Sequence, residues 1–335
     1  MGRPLKFGVI GCGLMAKLVH CPNMKAVPDI ELVAYCDVDK SKADELLSLF
    51  GGEYTTTNSD DLFADERLDG VLIQVGPFHH SDLVRKAAKA GKHVFVEKPI
   101  AVELDDAIAT MEVVEEANIK LMYGTCNRLA PNVKRAKKMC PKPLYTFCQC
   151  SDTITHQAVH NIDLAINLFH EAPLKSVFAS GMQAWNMDPH LPADSFSAIL
   201  TFEDGSVHTY IQHGGAYNPM LKKYHYQLFG QDRCVYLAKR FKECHLMTNN
   251  KEVEKSWIFE GDDTDRGPDG YMGHFEEVEE WVQAIRTDGA CTMTARDAVY
   301  TLAVEKAILE SVVTGQLIPF QEYLKSNNLE HLFHE

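Results

Sequence analysis

The first third of the chain alternates between two hydrophobic periods. Short apolar runs at Leu5 to Ile10, Glu31 to Cys36, Val71 to Val75, His93 to Val96 and Lys120 to Tyr123 read as buried strands. Between them, Ser41 to Phe50, Ser81 to Ala90 and Leu104 to Ala117 carry apolar residues at helical spacing. Ser41 is suited to cap the first of these helices, and Gly51-Gly52 and Gly91 to stop helices. Regular strand–helix alternation over short connections predicts a parallel, doubly wound sheet. Downstream the rhythm changes. One amphipathic stretch from Thr155 to Phe169 is followed by period-two segments at Ser195 to Phe202, Val207 to Gln212 and Tyr224 to Phe229. Met272 to Thr287 and Ala295 to Val313 then read as helices, the second ending at Gly315.

Composition narrows the class. A length of 335 residues suggests two domains, each able to bury its own core. The formal net charge of −14, with no extended basic run, argues against nucleic acid as a partner. Lys134-Arg135 and Lys137-Lys138 read as one solvated helix turn. The ten cysteines are scattered without a C-x-x-C pair, and Cys148 and Cys150 alternate along one strand. That usage suits reduced, buried thiols and a cytoplasmic location. No apolar segment approaches about 18 residues, so no membrane span is expected, and the N-terminus runs straight into a strand pattern without a signal peptide.

Candidate chemistry begins at the first turn. Gly11-Cys12-Gly13-Leu14-Met15-Ala16 follows a strand and opens a helix, the context in which G-x-G-x-x-A cradles a pyrophosphate. Asp37 ends the next strand, where a carboxylate accepts hydrogen bonds from the adenosine ribose and repels a 2′-phosphate. NAD is therefore the expected cofactor rather than NADP. Glu97-Lys98-Pro99 closes the run His93 to Val96, which puts Lys98 at the carboxyl edge of the sheet, where ligands of such folds bind. Alone, it reads more readily as a solvated charge at a strand end.

A second constellation lies on the helix from Thr155. At about 100° per residue, positions 156, 160 and 163 fall within roughly 60° of one another. His156, His160 and Asp163 on one face are equipped for proton transfer, and also for a hydrogen-bonded interface. His-x-x-x-His can bind zinc, but no third ligand is recognisable, so no metal is expected.

Taken in order, these motifs resemble the Gfo/Idh/MocA oxidoreductases. The carriers are Gly11 to Ala16 with His20 further along the helix, Pro77-Phe78-His79-His80, Glu97-Lys98-Pro99, Asn127-Arg128, and His160-Asn161-Ile162-Asp163. The resemblance spans nearly the whole chain. It implies an α/β architecture: a Rossmann domain over residues 1–124, then a substrate-binding and oligomerisation domain over 125–335. That second domain would carry a large, open, mostly antiparallel sheet through which a homodimer or homotetramer forms.

It further implies an NAD-dependent oxidoreductase acting on a secondary hydroxyl of a sugar, cyclitol or glycoside. Lys98 would hold the reacting oxygen, behind a Lys-Pro bond that is commonly cis in such enzymes. Glu97 would orient Lys98 or the nicotinamide carboxamide, and His160 would accept the proton. The cofactor set would be Gly11, Gly13, Leu14, Met15, Asp37, Gly76, Pro77, His80, Glu97, Lys98 and Asn127. His156, Asp163, Arg128 and Trp185 would face substrate, with Asn186, His213 and Tyr217 as further pocket candidates. Trp185 reads as a sugar-stacking ring or as core. Two positions depart from the family pattern: His156 stands where inositol-dehydrogenase-like members carry aspartate, and Phe78 where many carry asparagine. A lyase cycle through transient oxidation, or a non-catalytic NAD-binding protein, are the alternative readings.

Overall fold

The computed structural model describes residues 3–215, 223–248, 252–260 and 267–333. Its contacts divide the chain into two compact units, Met1–Cys126 with Gly261–Val299, and Asn127–Glu260 with Tyr300–Glu335. The single boundary expected at 124/125 is thus joined by a return: the segment 261–299 packs with the first unit.

In that unit β1 (Leu5–Ile10), β2 (Ile30–Cys36), β3 (Tyr54–Thr56), β4 (Gly70–Ile73), β5 (His93–Glu97) and β6 (Leu121–Gly124) form a sheet of order β3-β2-β1-β4-β5-β6. Every pairing is parallel, giving the doubly wound dinucleotide-binding arrangement that the alternation predicts. β4 and β6 are buried along their whole lengths, which is why they appear in the sequence as continuous apolar runs. The helix Lys40–Phe50 starts one residue before Ser41, and its cap is Asp39, whose carboxylate accepts from the Ser41 amide at 3.1 Å. The returning helix His274–Thr287 drives Trp281 into the core against Phe7 and Phe95, with ring centroids 4.8 and 5.8 Å away, and the indole N–H donates to the Lys120 carbonyl.

In the second unit the described residues form β7 (Tyr145–Ser151), β8 (Leu174–Met182), β9 (Ser195–Phe202), β10 (Val207–His213), β11 (Tyr224–Phe229), β12 (Arg233–Ala238), β13 (Glu243–Thr248), β14 (Val253–Ile258) and β15 (Ile318–Pro319). Their order is β14-β13-β12-β11-β7-β10-β9-β8-β15. β7 and β10 pair parallel and all other neighbours antiparallel, as the resemblance implied. β7, β9 and β10 alternate buried with more exposed positions, the period-two signal read in the sequence. Buried histidines sit on the inner side. His170 stacks on Phe202 at 4.1 Å and shares Thr146 Oγ1 with His208 at 2.8 Å from each. Burial lowers the His170 pKa to about 4, so the ring is neutral near pH 7.

Candidate active site

The turn after β1 is built for a dinucleotide. Gly11 has φ +91°, and a Cβ there would lie 2.6 Å from the Gln74 carbonyl, so only glycine fits. A Cβ on Gly13 or Gly76 would meet nothing within 4 Å, leaving the backbone open to close approach by a ligand. The first intrahelical bond of the following helix runs from Lys17 N to Gly13 O, so the amides of residues 14–16 precede the hydrogen-bonded ladder and present donors at the turn. Asp37 sits just past β2 and fixes the loop: its carboxylate accepts from Cys12 N at 2.7 Å and from Asp39 N at 2.9 Å. Leu14 (74% exposed), Met15 (42%) and Phe78 (75%) stand out as apolar side chains in water near the carboxyl ends of β1 and β4. The Gln74 amide is buried with neither nitrogen nor oxygen hydrogen-bonded within the protein. These features fit NAD, which an orphaned amide and a solvent-facing apolar rim would both help to hold.

At the end of β5 the Lys98–Pro99 bond is cis, as expected, and Lys98 is half-buried. Glu97 turns inward. Its Oε1 lies 2.6 Å from His20 Nε2 and its Oε2 accepts from the Lys98 amide at 3.3 Å. Burial by itself would raise this carboxyl, but the hydrogen bond from His20 and the charges of His20, Lys98 and His274 hold it below the usual carboxylate range. Both oxygens thus take part in the fold around the Lys98 turn. His80 behaves likewise. It is buried, with Nδ1 2.6 Å from the Pro99 carbonyl and Nε2 3.0 Å from that of Val75. Burial lowers its pKa against the pull of both carbonyls, and a neutral ring donates to one of them only, for which the shorter Pro99 contact is the better. His80 braces the ends of β4 and β5.

A family model described as an oxidoreductase family with an NAD-binding Rossmann fold matches residues 5–125, and one for that family's C-terminal alpha/beta domain matches 149–320. The chain belongs to the Gfo/Idh/MocA oxidoreductase family. It is accordingly an NAD-dependent oxidoreductase. It is similar to a myo-inositol 2-dehydrogenase of Thermotoga maritima, at 23% identity over 96% of this chain and 100% of that one. An inositol 2-dehydrogenase of Rhizobium meliloti is 32% identical over 40% of each chain. Among solved structures, a levoglucosan dehydrogenase in complex with NADH and levoglucosan superposes with a TM-score of 0.81 at 19% identity, covering 94% of this chain and 99% of that one.

The second unit of this family member holds the remaining expected residues. Three contiguous turns, π-helical at Ile154–Ala158, α-helical at Val159–Leu164 and π-helical at Ala165–Phe169, replace the single α-helix read from the sequence. π-turns inside helices recur at functional sites. His160 and Asp163 are buried, whereas His156 is exposed in the first turn with Nδ1 2.6 Å from Thr153 Oγ1. The three therefore do not share one environment. Asp163 is gripped by Arg128, through Nε at 2.6 Å and Nη2 at 2.5 Å, with Asn167 donating at 3.0 Å. Both members of this pair were expected to face substrate; the structure turns them on each other. Asn127, expected at the cofactor, is buried in the short turn Cys126–Leu129.

Trp185 is not core. It is 47% exposed on the loop after β8, which Asp194 folds by accepting from the amides of Ala184, Trp185 and Met187 and from the Ser195 hydroxyl. Its ring covers Gly215, where any Cβ would lie 2.4 Å from the indole, and its centroid is 6.3 Å from that of His213. Asn186 adopts φ +56° in the same loop. Tyr217 lies outside the described residues.

No metal was expected. Among the described residues one group could ligate an ion, Cys126, His274 and Glu277. Cys126 Sγ lies 3.7 Å from His274 Nε2 and Glu277 Oε1 lies 3.2 Å from His274 Nδ1. Opposite nitrogens of one ring are engaged, the geometry of a hydrogen-bonded chain rather than of ligands converging on one ion. Neither His274 nor the Gln74 amide was singled out in the sequence, because an isolated histidine or glutamine carries no spacing signal.

Replacing Asp37 by serine is expected to lower kcat/KM for NAD by about 10- to 100-fold, the loss of one or two charge-assisted hydrogen bonds to ribose. The NADP/NAD ratio of kcat/KM should rise in parallel; an unchanged ratio would remove Asp37 from cofactor selection.

Proposed function

We propose that this oxidoreductase oxidises a secondary hydroxyl of a cyclitol or sugar, with Lys98 as the group that holds the reacting oxygen. The observation carrying the reading is the built turn at Glu97-Lys98-Pro99: His20 and the Lys98 amide fix Glu97, while His80 braces the Pro99 carbonyl. Such scaffolding around a half-buried lysine at the carboxyl edge of a dinucleotide-binding sheet is preorganisation for chemistry, not the setting of a solvated charge. The names of its inositol and levoglucosan dehydrogenase relatives point to the same substrate class.

When bound, NAD+ supplies the hydride acceptor. Lys98 donates a hydrogen bond to the substrate oxygen and stabilises the negative charge that grows there as the O–H proton leaves. His160 is the proposed proton acceptor, a role suited to an imidazole near neutral pH. Arg128 and Asp163 hold the His160 helix, and Trp185 offers an aromatic face against which a sugar ring can stack. With His156 exposed in the first turn, the replacement of the family's aspartate alters the charge at the rim. The test is an NADH-absorbance screen over inositols, hexoses, aldonates and glycosides. Reduction of NAD+ by at least one cyclitol or sugar is expected; silence across the panel by protein that binds NADH would defeat the reading.

We further propose that copies associate through the open face of the nine-stranded sheet. Phe178 of β8 and Ile199 of β9 are register partners there, exposed alongside Met182. Light scattering is expected to give a dimer or tetramer for the parent, and a smaller species after Phe178→Glu with Ile199→Lys.

A further inference from the structure

Glu97 lies at one end of a buried chain of titratable groups that the proposed reaction does not otherwise use. His20, from the π-turn Ala16–His20, meets Glu97 at 2.6 Å. The other face of that imidazole looks onto His274, from the helix His274–Thr287, with ring centroids 5.8 Å apart and planes at 69°. His274 in turn bridges Cys126, just past β6, and Glu277, one turn along its own helix. His80, His20, Cys126 and Glu277 are buried, and Phe95 and Trp281 wall the cluster with aromatic surface. Four separate stretches of sequence thus converge behind the residue that supports Lys98.

Charge balance gives the arrangement a purpose. A carboxylate in an apolar box is costly without a compensating positive charge. Glu97 feels His20, Lys98 and His274 as favourable charges, and it acts on His80 in turn. Burial opposes a charged His274, but Cys126 and Glu277 outweigh it and raise its pKa. Burial also raises Glu277, assisted by the like charge of Glu97 and against the pull of His274 and His20. The balance therefore favours a proton on His274 and none on Glu97.

We propose that His274 is a positioning residue for the reaction: packed edge-on against His20, it adds its charge to those that keep Glu97 a carboxylate bonded to His20 and to the Lys98 amide, and thereby helps to fix the direction of Lys98. The catalytic half of this proposal rests on the assignment of Lys98 above. The charge half does not, and the two are separable by experiment.

The variant is His274→Gln, which keeps a hydrogen-bonding side chain and loses the charge. A carbon-detected NMR titration of the Glu97 carboxyl, assigned with Glu97→Gln, is expected to move up by about one pH unit or more. The sign follows from the balance: with the cation gone, burial is less opposed and the carboxyl protonates at higher pH. In turnover, the acid limb of the kcat profile should move to higher pH, while kcat at pH 7, where Glu97 is ionised in both proteins, should stay within about twofold. KM for NAD should stay within about twofold, since the cofactor turn is untouched. An unmoved carboxyl titration overturns the proposal whether or not Lys98 proves catalytic. A moved titration with an unchanged kcat profile overturns the positioning role, while leaving the Lys98 assignment to its own variant. Should His274→Gln fail to fold, His274→Asn, which also removes the charge and leaves Glu277 in place, is read by the same two measurements and the same criteria.

Discussion

Lys98→Met is expected to reduce kcat by about 1,000-fold while leaving the dissociation constant for NADH within about twofold. Methionine matches the lysine stem in length and removes the donor, so the substitution isolates the ammonium. Loss of one oxyanion-type donor costs about 100- to 1,000-fold, with a charged donor at the upper end, and Lys98 supplies that stabilisation by holding the oxygen as His160 takes its proton. His80 holds the Pro99 carbonyl and Glu97 accepts from the Lys98 amide, two contacts that the substitution keeps. The fold and the cofactor turn should survive, and NADH fluorescence titration reads that directly. Lys98→Arg restores charge but as a wide planar fork on a turn shaped for a compact head, and should recover little. Steady-state assays with the best substrate of the polyol screen decide the matter. A loss of less than tenfold in Lys98→Met would demote Lys98 to the solvated strand-end charge that its local sequence allows.

Why Lys98 was visible from sequence, and its supports were not, has a physical basis. The apolar run before it, the glycine at 11 and the acid at 37 are each dictated by a short-range rule: burial on both faces, a positive φ, a strand-end carboxylate. Such rules operate within a few residues and leave marks in the chain. His274 reaches Cys126 across some 148 positions, and nothing in either neighbourhood announces the other. The packing of 261–299 with the first unit is of the same kind, since a helix pattern specifies its own apolar stripe but not which domain receives it. The helix at His160 shows a different failure. An angular argument at α-helical spacing groups three residues correctly by direction, yet π-turns flank the helix, and burial along it changes from His156 to His160. Direction alone therefore placed His156 among buried partners, where exposure and a local Thr153 contact set its surroundings. Arg128 and Asp163 were both found, but not their pairing with each other: sequence marks a polar residue as important without saying whether it will pair inside the fold or outside it.

That pair carries the largest expected effect on stability. Asp163→Ala should destabilise the second unit by about 3–5 kcal/mol, because it takes the carboxylate away from a buried Arg128 guanidinium. The side chains are 4% and 1% exposed, and the carboxylate accepts from Arg128 through two nitrogens and from Asn167. In a unit of this size the loss amounts to a drop in Tm of about 10 °C, readable by circular dichroism or calorimetry. The double variant Arg128→Met with Asp163→Leu should recover most of it, since a buried ion pair and a well-packed apolar pair of similar volume differ little in net stability. This contrast separates the two roles the residues could have. If they hold the helix that carries His160, the double variant regains Tm and keeps the parent's KM for the polyol, with kcat tracking how well the helix is restored. If they bind substrate, KM rises sharply in the double variant however stable it is. A loss below 1 kcal/mol in Asp163→Ala would mean that the ion pair is not what anchors the helix, and would return Asp163 to the substrate side of the site.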